Sequence, residues 1–90
     1  MSEKELASFI EKNPQWTLSE AGIHRSYSYP NYKESLEAVL KVSELAESAY
    51  HHPEIEFGWG YVRIKLITYS KSAVTVKDTD LATQIEAALS

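Results

Sequence analysis

Along the chain the hydrophobic pattern switches between a helical and an alternating period, and the switches fall at prolines, glycines and capping residues. Ser2-Glu3-Lys4-Glu5 reads as a capping box, in which Ser2 accepts from the N–H of Glu5 and Glu5 reaches back. Leu6, Phe9 and Ile10 follow at helical spacing, so residues 3–12 predict a short amphipathic helix ended by Asn13-Pro14. Trp16 and Leu18 flank Thr17 in a short strand over 15–18. Glu20-Ala21-Gly22 supplies the turn, with Gly22 free to take positive φ. Ile23, Arg25, Tyr27 and Tyr29 then alternate with His24, Ser26 and Ser28, which predicts a strand over 22–29 paired with 15–18.

Pro30 closes that strand, and Asn31 is placed to cap the next element, with Glu34 three residues on. Residues 32–51 carry the strongest helical signal. Leu36, Leu40, Ser43 and Glu47 fall on one stripe, with Tyr32, Val39, Ala46 and Tyr50 alongside. A second stripe, Ala38, Val42, Leu45 and Ala49, widens the apolar face beyond what one sheet needs. Either the helix is deeply buried, or its surplus face packs against a partner subunit. Pro53 stops it, because proline lacks an N–H and restricts the residue before it.

Ile55 and Phe57 alternate with Glu54 and Glu56 in a short strand, and Gly58-Trp59-Gly60 forms a turn or bulge. Residues 61–69 give the best strand, with Val62, Ile64 and Leu66 towards the helices. Tyr61, Arg63, Lys65 and Tyr69 point the other way, onto a polar and aromatic face, positively charged in its middle, suited to water or a ring-shaped ligand. After the polar loop 70–73, Thr75 caps the last helix with Asp78 at the third position, and Leu81, Ile85, Ala88 and Leu89 form its apolar stripe. The order α-β-β-α-β-β-α predicts an α+β fold: a four-stranded antiparallel sheet with three helices on one face.

Ninety residues fit a single domain spanning 1–90, which buries roughly 60–65% of its unfolded surface. The net charge of −4 argues against nucleic-acid binding through phosphates. The chain has no cysteine, so disulfides and thiolate metal sites are excluded. Its amino terminus is polar and acidic, unlike a signal peptide, and no apolar run is long enough to span a bilayer. A cytoplasmic protein is the expectation.

The candidate chemistry lies at the end of the long helix, in Glu47-Ser48-Ala49-Tyr50-His51-His52-Pro53. On a helix, Glu47 and His51 four residues later share a face. Three readings of the paired histidines stay open. One ring caps the last carbonyls while the other is solvated. Alternatively the pair binds a metal, although adjacent residues rarely aim both rings at one ion and His24 is remote. The third reading is proton transfer, with Glu47 supporting an imidazolium at His51. No serine elbow, phosphate loop or dinucleotide fingerprint is present. A reaction here must need only acid, base and a binding surface.

The spacing Glu47-x3-His51-His52-Pro53-x5-Trp59-x9-Tyr69-x8-Asp78 resembles, without a gap, the signature of pterin-4a-carbinolamine dehydratases. The likeness extends to Trp16, to Ile23-x-Arg25-x-Tyr27-x-Tyr29 and to Val62-x-Ile64-x-Leu66-x-Thr68. It implies dehydration of 4a-hydroxytetrahydropterin (in biological terms 4a-hydroxytetrahydrobiopterin) to the quinonoid dihydropterin, in tetrahydropterin recycling, with neither metal nor organic cofactor. By this resemblance His51 orients the pterin, His52 acts as acid and base, Glu47 holds the polar network and Trp59 packs nearby. The backbone around Tyr50–His52 and across Ile67, Thr68, Tyr69 and Ser70 would line the substrate. Asp78 would serve either as helix cap or as site residue. Tyr69 stands where the family has His or Trp. With an unperturbed pKa near 10, tyrosine donates a hydrogen bond but is a poor base, so activity is open to reduction there. Ala73-Val74 replaces the usual Gly-Leu. The resemblance also implies a homodimer or homotetramer. Its alternative implication is a weakened dehydratase-like protein working through a protein partner, as transcriptional cofactors and carboxysome assembly factors of the family do.

Overall fold

The computed structural model describes residues 1–90. Helix α1 (Glu3–Lys12) is followed by strands β1 (Thr17–Ser19) and β2 (Gly22–Ser28), helix α2 (Tyr32–Ala49), strands β3 (Glu54–Gly58) and β4 (Tyr61–Leu66), a 3₁₀ turn (Tyr69–Lys71) and helix α3 (Val76–Leu89). The strands form one antiparallel sheet in the order β1-β2-β4-β3. The α+β architecture read from the sequence is therefore the one observed.

All three helices begin at the expected caps. Ser2 and Glu5 exchange hydrogen bonds of 3.1 Å. Asn31 accepts from the Glu34 N–H at 2.9 Å, and Thr75 with Asp78 closes a second capping box. Two strand limits differ from the expectation by more than one residue. Trp16 N–H donates to the Asn13 carbonyl, so residues 13–16 turn and β1 starts only at Thr17. At the other end β4 stops at Leu66, because Thr68 pairs with Ala73 and Lys71 N–H returns to the Thr68 carbonyl. Tyr69 thus stands on a 3₁₀ turn and not on the strand.

Register then decides the two faces. Ile23 lies opposite Leu66, Arg25 opposite Ile64 and Tyr27 opposite Val62, so these side chains share the helix side. With Trp16, Ala38, Val42, Ala46, Leu81, Ala82 and Ile85 they surround the core, and Leu6, Phe9 and Ile10 bring α1 against it. Gly22 at φ +126° allows the sheet to close, since a Cβ there would sit 2.3 Å from the Leu66 carbonyl oxygen. The inner stripe of α2, Ser35, Ala38, Val42 and Ala46, is buried, whereas Leu36 and Leu40 on the other stripe are 38% and 57% exposed. The helix is therefore not buried all round.

One polar group is set into this interface. Glu86 Oε1 on α3 accepts from Trp16 Nε1 at 3.1 Å, from Tyr27 Oη at 2.7 Å and from Arg25 Nε. The Arg25 guanidinium also lies 3.9 Å from the centre of the Tyr27 ring. Burial would push the Glu86 carboxyl up, but the hydrogen bonds from Arg25 and Tyr27 outweigh it and hold it below its ordinary value. Burial, seconded by Glu86, raises the Tyr27 phenol. The outer sheet face carries Lys65 opposite Glu54 and Arg63 opposite Glu56, each pair in contact at 2.5 Å. The positive middle expected there is neutralised across the strands. No helix is long and apolar enough to cross a membrane.

Candidate functional site

Helix α2 ends two residues earlier than the 32–51 expectation. Tyr50 adopts a left-handed conformation at φ 51°, ψ 37°. Its N–H reaches the Glu47 carbonyl at 3.3 Å, and His51 N–H reaches the Ala46 carbonyl at 3.2 Å. These are the two bonds of a Schellman motif, with tyrosine where glycine is usual. The reversal removes His51 from the helix and overturns the expected pairing of Glu47 with His51. Glu47 instead meets His52 Nε2.

The two rings consequently occupy different surroundings. His51 is 12% exposed and its Nε2 lies 2.5 Å from Oδ1 of Asp78, a fully buried carboxylate. His52 is 60% exposed, as is its partner Glu47 for the most part. A carboxylate only accepts, so in each neutral ring the nitrogen facing it carries the hydrogen and Nδ1 is left as the open acceptor.

Asp78 caps α3, as one of its two expected roles has it, and also faces His51. Its Oδ2 accepts from Thr75 N–H at 2.9 Å and from Thr68 Oγ1 at 2.8 Å, while Oδ1 faces His51. One buried carboxylate thereby joins the start of α3, the segment after β4 and the segment after α2. Thr68 is itself tied down on both sides of this carboxylate. Its N–H is used by the Ala73 carbonyl at 3.0 Å and its side chain is turned inward.

Tyr69 and Ser70 are exposed on the 3₁₀ turn, and Ile67 is half-buried before it. The Tyr69 hydroxyl donates to Glu54, which also pairs with Lys65. The bond to Glu54 raises the Tyr69 phenol above its ordinary range, and Lys65 followed by Tyr69 holds Glu54 down. Tyr69 is therefore an engaged donor with its proton in place. Tyr50 projects its ring into solvent, 90% exposed. Trp59, by contrast, occupies the β3–β4 turn, 70% exposed. Five residues of strand separate it from the histidine end of β3, about 16 Å at the usual rise. The fold does not bring it to His51 and His52. His24 is also apart, bonded to Ser19 Oγ at 2.7 Å on the β1–β2 hairpin.

The Thr68–Thr75 support, the Glu54–Tyr69 bond and the Glu86 cluster are not legible in the sequence. Only the Thr75 and Asp78 spacing carries a local signal for any of them. The residues brought together are Glu47 with His52, and His51 with Asp78, Thr68 and Thr75: two carboxylate-backed imidazoles on adjacent residues, suited to giving and taking protons.

Comparison with known proteins bears on this arrangement. Residues 1–88 match the family model described as pterin 4 alpha carbinolamine dehydratase. Relatives sharing that family name include a protein of Mycolicibacterium smegmatis, 30% identical over the whole of this chain and 96% of its own length. Another, from Prochlorococcus marinus, is 34% identical over 96% of this chain and 90% of its own length. A third, from Aromatoleum aromaticum, is 41% identical over 71% of this chain but only 59% of its own length. Among solved structures, a transcriptional coactivator/pterin dehydratase of Brucella melitensis shares the fold with a TM-score of 0.89. It is 24% identical, with 97% of this chain and 95% of that one covered. A pterin dehydratase-like RuBisCO assembly factor of the alpha-carboxysome superposes with a TM-score of 0.65 at 19% identity, covering 80% and 83%. With matched residues spanning the chain from α1 to α3, the protein belongs to the pterin-4-alpha-carbinolamine dehydratase family.

Proposed function

We propose that the protein dehydrates 4a-hydroxytetrahydropterins to the quinonoid dihydropterin. The observation that carries this reading is the pair of carboxylate-backed imidazoles, His51 on Asp78 and His52 on Glu47. The reaction requires hydroxide to leave C4a and a proton to leave N5, so that water and the quinonoid product result. A positioned acid and a positioned base supply this. His51, held by the buried Asp78, orients the bicyclic ring, and the exposed His52 exchanges the proton. Tyr69 contributes as a hydrogen-bonded donor and not as a base. Purified protein should speed the decay of 4a-hydroxytetrahydropterin, and His52→Ala should lower that acceleration by about 10²–10⁴-fold. Wild type and variant both decaying at the uncatalysed rate would sink the reading.

A second reading has its own support. Tyr32, Leu36 and Leu40 leave an apolar stripe on α2 uncovered. This stripe fits a subunit contact in a homodimer or homotetramer, or a protein partner for a weakened dehydratase-like member of the family. A strictly monomeric mass by light scattering at micromolar concentration, with no stoichiometric partner recovered from the native cell, would remove it.

A further inference from the structure

The direction of every hydrogen bond around Asp78 follows from counting hydrogens. Asp78 only accepts, and Thr68 has one hydroxyl hydrogen, directed to Asp78 Oδ2 at 2.8 Å. In the 2.7 Å contact between the Thr68 and Thr75 hydroxyls, the hydrogen must therefore come from Thr75. Thr75 Oγ1 in turn accepts from Lys77 N–H at 3.3 Å. The chain runs one way, from the first turn of α3 through two hydroxyls to a buried carboxylate. With Oδ2 engaged by Thr68 and by Thr75 N–H, Oδ1 is turned to His51. Thr68 is itself fixed, with its N–H on the Ala73 carbonyl and its own carbonyl accepting from Lys71 N–H, both at 3.0 Å.

We propose that Thr68 is a positioning residue for this site: its hydroxyl orients Asp78, and through it holds His51 in the tautomer with Nε2–H on the carboxylate and Nδ1 open. This rests on the reading that His51 and His52 handle the pterin. The Thr68 hydroxyl is turned to Asp78 Oδ2, so its effect on His51 runs through that carboxylate. Removing its hydroxyl leaves Thr75 N–H as the one remaining donor to Oδ2, so the carboxylate turns more freely and the ring loses its fixed partner.

The test compares wild type with Thr68→Val, which removes the hydroxyl at constant shape, and Thr68→Ser, which keeps it. Proton and nitrogen NMR would follow the His51 Nε2–H, assigned by its loss in His51→Asn, and turnover would be measured in parallel. Wild type and Thr68→Ser should show a downfield imidazole proton protected from exchange. Thr68→Val should exchange it at least about tenfold faster and lose about tenfold or more in kcat, with Thr68→Ser recovering both. Where Thr68→Val does not fold, Thr68→Ala carries the same comparison without a methyl against Asp78. A folded hydroxyl-free variant with an unchanged His51 signal overturns the proposal, whatever its stability. Absence of turnover in wild type sinks the dehydratase reading alone, and the NMR comparison still decides Thr68.

Discussion

His51 Nε2 lies 2.5 Å from Asp78 Oδ1, which ties a ring just past the end of α2 to the first turn of α3. The carboxylate has no solvent exposure, and it caps α3 with its other oxygen. Helix start and histidine orientation thus share one side chain, and a change at Asp78 should register in both stability and activity.

Asp78→Asn tests this directly. The amide offers one oxygen and one NH₂ where His51, Thr68 and Thr75 all bring donors. With the oxygen kept by Thr68 and Thr75 N–H, the NH₂ meets the hydrogen on His51 Nε2, and while the ring holds that tautomer one donor loses its acceptor, at a cost of about 1–3 kcal/mol. Urea unfolding should show that loss. An unchanged midpoint would mean that His51 does not hold its hydrogen on Nε2 against position 78.

Tyr50→Gly should act in the opposite direction. A left-handed conformation costs an L-residue roughly 1–2 kcal/mol, and the Tyr50 ring is too exposed to repay it by packing. The greater freedom of glycine in the unfolded chain offsets part of the relief, leaving a gain of about 0.5–1 kcal/mol. The same urea measurement reads it, and a lower midpoint would show that the ring contributes contacts of its own.

Tyr69→His is the informative change for activity. The tyrosine hydroxyl is committed to Glu54 and its phenol is raised, so it holds its proton at neutral pH. An imidazole titrates near neutrality. If position 69 shares in the proton transfer, kcat should rise by about 10²-fold, the low end of what a positioned acid or base contributes. An unchanged kcat would place the proton transfer wholly on the other side chains.

The Glu86 cluster predicts a specific dependence on pH. The Glu86 carboxyl is held below its unfolded value of 4.5, so the unfolded chain binds more protons around that pH. Its contribution is fully present above pH 4.5 and fades as pH falls through the folded value. Tyr27, raised above 10.0, contributes fully below pH 10 and fades as pH rises beyond it. The stability advantage of wild type over Glu86→Gln should therefore shrink in acid, and that over Tyr27→Phe in strong base. An acid-independent gap for Glu86→Gln would disprove the first.

Elements with local signals are legible in the amino-acid order itself. Ser2, Asn31 and Thr75 each cap a helix from a pattern four residues long, and the alternation of Val62, Ile64 and Leu66 places one sheet face correctly. The end of α2 is less so. Its helical periodicity continues through His51, and nothing in Tyr50 announces a left-handed residue, a place where glycine is the usual mark. Of the side chains singled out, Glu47, His51, His52 and Asp78 are gathered by the fold and Trp59 is not. Partners far apart in sequence lie beyond local reading: Asp78 meets His51 across 27 residues, and Glu86 meets Arg25 and Trp16 across 61 and 70. Such contacts are set by how the helices cross the sheet.

The left-handed turn at Tyr50 also constrains how this segment can change. It aims two successive side chains at partners on different elements, one in the dry interior and one in water. The distance from Ala46 to His52 is accordingly a matter of residue count, not of residue type. One residue inserted between Tyr50 and His51 would present a different side chain to the Asp78 carboxylate and move His51 into the place of His52. At the exposed positions Ser48, Ala49 and Tyr50, substitutions should be tolerated far better than insertions or deletions.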